Sequence, residues 1–195
     1  GRAGSPADGT CTRIRRGTRA PGVEEPVRSP RALPQVPGTL TTRMASPVRI
    51  AFLGGLGEIG RNCMVVEQDD RLLLIDCGLM FPETDMHGID LVLPDFSYLR
   101  ENADRIVGCV ATHGHEDHVG GLQFLLREAS FPIFGSAVTL GLARNRIEEA
   151  GLLGRTEFVP VRDGERRSIG PFDVEFVPVT HSVPHAHAIV LHTPQ

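Results

Sequence analysis

The feature that most constrains the fold is an abrupt change of composition near residue 46. Residues 1–46 contain six Pro, six Gly and only six residues of the Leu, Ile, Val and Phe set. A segment with so few large apolar side chains cannot bury enough surface to offset the conformational entropy lost on folding. We therefore expect residues 1–46 to be a disordered tail, which leaves residues 47–195 for one domain of ordinary size.

The same boundary divides the charge. All 20 basic residues are Arg; the tail holds eight of them against three acids, and residues 47–195 hold 12 against 21 acids. A domain with a net charge of −9 lacks the broad basic surface that is typical of nucleic-acid binders. Met44 lies where a shorter chain could start, so a solvated extension or upstream sequence is the favoured interpretation of the tail. An Arg-rich arm that binds RNA is the alternative.

Neither a membrane location nor a cysteine scaffold is indicated. No apolar run approaches the roughly 18 residues needed to span a bilayer, and the N-terminus lacks the apolar segment of a secretory signal. Cys11, Cys63, Cys77 and Cys109 are widely spaced and form no Cys-x-x-Cys pair. This spacing argues against a disulfide framework or a cysteine zinc finger, and favours a reduced, cytoplasmic setting.

From Pro47 onwards the apolar pattern predicts hairpins first and alternating strands and helices afterwards. Strands are predicted at 48–53, 63–67, 71–76, 107–112, 131–134, 157–161, 172–179 and 187–192. Helices are predicted at 95–106, 118–128 and 138–153, and residues 79–94 are predicted to be a loop. This order indicates an α/β domain with a layered, mixed sheet.

A glycine motif follows the first predicted strand. Gly55-x-Gly57-x-x-Gly60 is similar to a dinucleotide-binding fingerprint, and Asp76 closes a later strand 21 residues beyond Gly55. That fingerprint requires a helix to begin within the glycines, whereas residues 61–75 predict a hairpin. We therefore favour a glycine-rich turn with positive φ angles over nucleotide binding.

A cluster of metal-binding residue types follows the strand at 107–112. His113 and His115, two residues apart in an extended turn, can converge on one cation. Asp117 and His118 begin the next helix and can hold a second one. Neutral imidazole and carboxylate groups suit zinc, manganese and similar ions. A single His is more often structural, but four such groups at this spacing predict a metal centre.

The pattern His-x-His-x-Asp-His at 113–118 resembles the signature of the metallo-β-lactamase superfamily. Asp76, at the end of an early strand, matches its first motif, and His181, after a later strand, matches its third. Residues 54–62, 78–83 and 88–95 further resemble the ribonuclease J family of β-CASP ribonucleases within that superfamily. The resemblance covers residues 48–194 and implies an αββα sandwich of which only the N-terminal part is present.

The resemblance also implies a ligand set. By the family pattern one divalent metal ion is held by His113, His115 and His181, and a second by Asp117 and His118. Asp117 and His118 are also the implied catalytic residues. The ions are zinc by the family pattern, with manganese or magnesium as alternatives.

The implied reaction is hydrolysis of RNA. The two ions would lower the pKa of a bridging water and offset charge on the phosphoryl oxygens. Asp76 would orient a ligand through a hydrogen bond. The implied activity is 5′-to-3′ exonuclease and endonuclease cleavage in RNA processing and decay, including ribosomal RNA. A homo-oligomer is implied for the full-length family protein.

The chain departs from the family pattern near its end. The Asp that bridges the two ions in the family, and the inserted β-CASP domain, have no counterpart before Gln195. His185 stands where the family has Asp, and His187 follows; we interpret both as surface residues or as neighbours of a ligand. With three ligands for one ion and two for the other, we expect one ion to bind much more tightly. We also expect little or no ribonuclease activity from the 195-residue chain alone.

Two other functions fit part of the pattern. Another hydrolase of the superfamily, acting on a thioester or a lactone, would share the metal-binding residues but should lack the Gly-Leu-Gly-Glu-Ile-Gly opening at 55–60. A non-catalytic metal-binding fragment is the other alternative, favoured by the missing bridging Asp.

The composition of the tail generates a testable prediction. A chain that begins at Met44 should unfold at the same thermal midpoint as the 195-residue chain, because the tail contains few large apolar side chains that could be buried. Differential scanning calorimetry of both chains checks this. A drop of more than about 3 °C, on the order of 1 kcal/mol for a domain of this size, would show that the tail packs on the domain.

Overall fold

A computed structural model describes residues 47–193, and the predicted disordered tail at 1–46 lies outside the described residues. Six strands form a mixed sheet in chain order. They are β1 (Arg49–Gly54), β2 (Cys63–Gln68), β3 (Arg71–Ile75), β4 (Ile106–Val110), β5 (Ile133–Gly135) and β6 (Phe158–Pro160). β1, β2 and β3 pair antiparallel, and β3 to β6 pair parallel. The predicted α/β order, with hairpins first, then alternating strands and helices, and a mixed sheet, is confirmed.

A second, antiparallel sheet contains β7 (Arg166–Ile169), β8 (Phe172–Val179) and β9 (Ala186–His192). The sequence did not predict β7, because its Arg-Arg-Ser run has low apolar content. The strand forms because it pairs with β8 at the edge of the sheet, where Arg166 lies opposite Glu175 and makes an ion pair with Asp173.

Four helices and two short 3₁₀ segments complete the described chain. The helices are α1 (Ser97–Glu101), α2 (Glu116–Val119), α3 (Leu122–Leu125) and α4 (Ala137–Glu149), and the 3₁₀ segments are Ala103–Arg105 and Leu153–Arg155. Among residues 47–193, none of the helices has the length and apolar character required to cross a membrane.

One continuous helix at 118–128 was predicted, and this prediction is wrong. The chain forms α2 and α3 instead, separated at Gly120 and Gly121. The N–H of Gly121 donates to the carbonyl of Cys77 at 2.8 Å instead of continuing the helical pattern. A Cβ on Gly121 would lie 2.5 Å from the carbonyl oxygen of Gly78. The helix is therefore broken where it meets the loop that follows β3.

The central strands of the six-stranded sheet are buried on both faces, and the strand period of two assigns their residues to two cores. Leu72 and Leu74 of β3 face a cluster formed with α1, α3 and α4. Leu73 and Ile75 face a second cluster, which includes Phe176 from the other sheet. The described residues thus form helix, sheet and sheet layers, and the α/β metallo-β-lactamase-like fold that the resemblance implied is confirmed.

The glycine motif forms a turn that leads into a hairpin, as predicted. Gly55, Gly57 and Gly60 have φ angles of 81°, 76° and 109°, and β2 and β3 follow as an antiparallel pair. No helix begins within the motif, so the geometry of a dinucleotide-binding turn is not formed there.

The topology gathers several loops at one edge of the sheet. Since β3 to β6 are parallel, their carboxyl ends lie at the same edge, which is where ligands bind in α/β sheets. Asp76 follows β3, and residues 112–118 follow β4. The turn between β8 and β9 carries His181 to the same place, since His181 Nε2 lies 3.3 Å from His115 Nδ1.

Close packing of these loops generates a second prediction. A Cβ on Gly78 would lie 1.7 Å from the backbone oxygen of Asp117, whereas a Cβ on Gly141, inside α4, meets nothing within 4 Å. Gly78→Ala should therefore destabilise the domain by about 1–3 kcal/mol or more through overpacking. Gly141→Ala should stabilise it by about 0.5–1 kcal/mol because Ala favours the helix. Urea unfolding of both variants checks this, and equal stabilities would contradict the described loop packing.

Candidate metal centre

Asp76 anchors the edge of the sheet at which the histidines gather. Its carboxylate is buried and accepts hydrogen bonds from the N–H of Thr112 at 2.8 Å, from Thr112 Oγ1 at 2.8 Å and from His118 Nδ1 at 2.7 Å. Its backbone lies in the left-handed region, with a φ of 61°, which Asp tolerates better than most residues. Asp76 thus joins the loop after β3 to the loop after β4.

Three imidazoles converge on one point. His113 Nε2 lies 3.1 Å from His115 Nδ1, and His181 Nε2 lies 3.3 Å from the same atom. Each of the three residues offers one ligand atom, and these atoms all lie within 4.8 Å of one another. Residues 66 positions apart in the sequence are brought together in this way by the β8–β9 turn.

Burial keeps the innermost of these imidazoles neutral. Desolvation, followed by the neighbouring rings of His118, His181 and His115, lowers the pKa of His113 to about 4. A neutral imidazole has a nitrogen lone pair available for a metal ion, whereas an imidazolium has none.

Asp117 and His118 lie beside this triad. Asp117 Oδ2 is 3.4 Å from His118 Nε2, and the ring centroids of His113 and His118 are 4.0 Å apart. Burial acts against protonation of His118, but the hydrogen bond and charge of Asp76, with the charge of Asp117, raise its pKa above the ordinary value. Nδ1 of His118 is therefore engaged with Asp76, and Nε2 faces Asp117.

The donor set fits divalent metal ions. Both short contacts share His115 Nδ1, and in a neutral ring that atom has either one hydrogen or one lone pair, so it can satisfy only one of its two neighbours. A cation bound by three nitrogens would satisfy all of them, as in sites that keep a position open for water or substrate. The carboxylate–imidazole pair beside them adds two further donors of the kind that zinc and similar ions accept.

His185 and His187 lie in a different cluster, around Asp163. His187 Nε2 is 2.9 Å from Asp163 Oδ1, and His185 Nδ1 is 3.2 Å from Asp163 Oδ2. His185 is exposed, but His187 is 2% exposed, so a surface position is wrong for His187. His187 is buried because β9 packs against the loop that begins at Thr112. The backbone N–H of His187 donates to the carbonyl of Thr112.

Sequence reasoning missed Asn62, which contacts this site. Its side-chain nitrogen lies 3.2 Å from His118 Nε2 and 3.3 Å from Asp117 Oδ2. It stands directly after the glycine motif and ends the 54–62 segment that resembles the ribonuclease J family, but neither signal indicated a contact with residues 55 positions further along.

Comparison with protein families matches residues 56–195 to the metallo-β-lactamase superfamily. The match includes the sheet edge and every residue of the predicted ligand set. The chain belongs to the metallo-β-lactamase superfamily.

Within this superfamily, the chain is similar to curated proteins called ribonuclease J. It is 48% identical over 149 residues to ribonuclease J of Synechocystis sp. The aligned region covers 75% of this chain and 23% of the relative. It is 43% identical over 158 residues to ribonuclease J of Mycobacterium tuberculosis. In this case the aligned region covers 80% of this chain and 27% of the relative. The chain therefore spans about a quarter of the length of these relatives.

Solved structures share the fold at lower identity. A diphosphatase of the PhnP family superposes with a TM-score of 0.53 at 22% identity, covering 74% of this chain and 62% of that one. The metallo-β-lactamase fold protein YhfI from Bacillus subtilis also superposes with a TM-score of 0.53, at 20% identity. This superposition covers 75% of this chain and 58% of that one. At these identities the likeness concerns the fold alone.

The geometry generates a prediction about metal binding. His113→Ala combined with His115→Ala should abolish tight binding, because two of three converging nitrogens are lost. His185→Ala combined with His187→Ala should change it little, since both side chains contact Asp163. Metal content after dialysis, measured by inductively coupled plasma mass spectrometry, distinguishes the two. Equal loss of metal in both double variants would show that the C-terminal histidines are ligands.

Proposed function

We propose that the chain is the metal-binding part of a ribonuclease J-type hydrolase that cleaves phosphodiester bonds in RNA. The observation that carries the proposal is the convergence of His113, His115 and His181 beside Asp117 and His118. Similarity to curated proteins called ribonuclease J, at 41–48% identity, supports RNA as the substrate.

The proposed ligand set has two parts. His113, His115 and His181 would hold one divalent ion, and Asp117 and His118 would hold a second. Zinc is the favoured ion, because the set is rich in imidazole. When bound, such ions lower the pKa of coordinated water and stabilise negative charge on phosphoryl oxygens.

The residues of this chain prepare the site for that chemistry. Asp76 accepts a hydrogen bond from the Nδ1–H of His118, which fixes the ring with Nε2 on the side of Asp117. Thr112 donates to both carboxylate oxygens of Asp76 and thereby prevents the carboxylate from turning. Such supports for metal-binding residues are typically worth about 10–100-fold in metal affinity or activity.

The domain alone should hold RNA weakly. Residues 47–195 carry a net charge of −9, which repels a polyanion. We propose that 5′-to-3′ exonuclease and endonuclease activity in RNA processing belongs to the longer protein, in the cytoplasm. The buried, unpaired thiols of Cys63, Cys77 and Cys109 agree with a reducing compartment. The oligomeric state stays a prediction.

The test is cleavage of 5′-monophosphorylated RNA with zinc or manganese. The 195-residue chain should show little turnover, and the same sequence extended to the length of its curated relatives should show robust turnover. Asp117→Asn in the extended protein should reduce turnover by more than about 100-fold, since even supports of a ligand are worth about 10–100-fold. Glu116→Gln is the matched control, because that carboxylate pairs with Arg146 on the surface.

Two results would count against the proposal, and a third would count against the need for the extension. Turnover that is unchanged in Asp117→Asn would show that the reaction does not use this site. No turnover of RNA by the extended protein, despite full metal content, would exclude RNA as its substrate. Robust turnover by the 195-residue chain would show that a further group completes the site without the extension.

A further inference from the structure

Asn62 lies beside the proposed metal centre, and the predicted ligand set gives it no role. It follows the glycine motif and immediately precedes β2. Its N–H donates to the carbonyl of Asp117 at 2.9 Å, and its own carbonyl accepts from the N–H of Gly78 at 2.9 Å. The backbone of Asn62 is therefore fixed by both loops that form the centre.

The side-chain amide of Asn62 faces the second pair of proposed ligands. Its Nδ2 atom lies 3.0 Å from the carbonyl oxygen of Asp117, 3.3 Å from Asp117 Oδ2 and 3.2 Å from His118 Nε2. An amide nitrogen only donates. In neutral His118, Nδ1 donates to Asp76, so the Nε2 lone pair faces the amide. One group thus contacts both side-chain atoms that would bind a cation.

The glycine motif makes room for this amide. A Cβ on Gly55 would lie 2.5 Å from Oδ1 of Asn62, and the φ angle of Gly55 is +81°. The N–H of Gly55 is held by Glu58 Oε1 at 3.0 Å, and Glu58 also pairs with Arg61. Glycine at position 55 therefore lets the turn pack directly against Asn62, which gives the motif a function other than nucleotide binding.

We propose that Asn62 is a positioning residue for the second metal site, where its amide holds the backbone carbonyl of Asp117 and thereby fixes the turn that carries Asp117 and His118 for a divalent cation. The inference rests on the proposed function, because it takes these two residues as ligands. The amide has two hydrogens for three acceptors. One of these hydrogens can keep its bond to the backbone carbonyl of Asp117 when Asp117 Oδ2 and His118 Nε2 bind an ion.

The test compares Asn62→Ala with Asn102→Ala in the full chain. Asn102 is a matched control, since its amide also donates to a backbone carbonyl, that of Tyr98, at 2.8 Å. Metal-free protein is titrated with Co²⁺, and the absorption bands report the coordination of each ion. Asn62→Ala should lower the affinity for the second, more weakly bound ion by about 10–100-fold and alter the absorption bands of that ion. Affinity for the first ion should change much less, since the hydrogen bonds of this amide are to Asp117 and His118.

A second variant separates hydrogen bonding from packing. Asn62→Ser restores one donor in a smaller side chain, so it should bind the second ion more tightly than Asn62→Ala. Equal affinities for the second ion in these two variants would overturn the proposal. An unchanged affinity for the second ion in Asn62→Ala would also overturn it. The same holds for an equal loss of affinity for both ions.

A third measurement keeps the proposal separate from the proposed function. If the unsubstituted chain takes up a single ion at saturating Co²⁺, the two-ion site of the proposed function fails. Asn62 is then tested without metal, by hydrogen exchange of the backbone amides at 116–119. Exchange should be faster in Asn62→Ala than in Asn102→Ala, and equal rates would overturn the positioning role.

Discussion

The metal centre depends on the buried carboxylate of Asp76. Three donors from the loop after β4 converge on it: the N–H and hydroxyl of Thr112 and the Nδ1 of His118. If the carboxylate were removed, these partly buried donors would lose their acceptor, at a cost of about 1–3 kcal/mol for each unsatisfied group. The carboxylate therefore sets the orientation of His118 and holds the metal-binding loop against the sheet.

Glycine determines how closely the two loops approach. Gly78 lies against the backbone oxygen of Asp117, and Gly121 lies against the loop at Cys77 and Gly78. The N–H of Cys77 also donates to the carbonyl of His118 at 2.8 Å. These contacts between backbones leave no space for side chains. They explain why the polypeptide interrupts a helix, at an energetic cost, next to the proposed ligands.

Much of the fold and of the site could be predicted from the sequence, because both rest on local patterns. Two apolar runs at 63–67 and 71–76 predicted the hairpin of β2 and β3, and the spacing of His113 and His115 predicted their convergence. The interrupted helix could not be predicted, since Gly121 bonds to a loop more than 40 residues earlier. Strand β7 was missed because its pairing with β8, and not its composition, makes it a strand. The burial of His187 likewise comes from the packing of β9 under Thr112.

We infer that the loops after β3 and β4, together with the β8–β9 turn, build one metal centre. Anomalous diffraction from crystals soaked in zinc tests it most directly. The predicted result is a strong peak about 2.0–2.1 Å from His113 Nε2, His115 Nδ1 and His181 Nε2, the usual zinc–nitrogen distance. A second, weaker peak is expected between Asp117 Oδ2 and His118 Nε2. A peak at Asp163, His185 and His187, with none among the three imidazoles, would contradict the account.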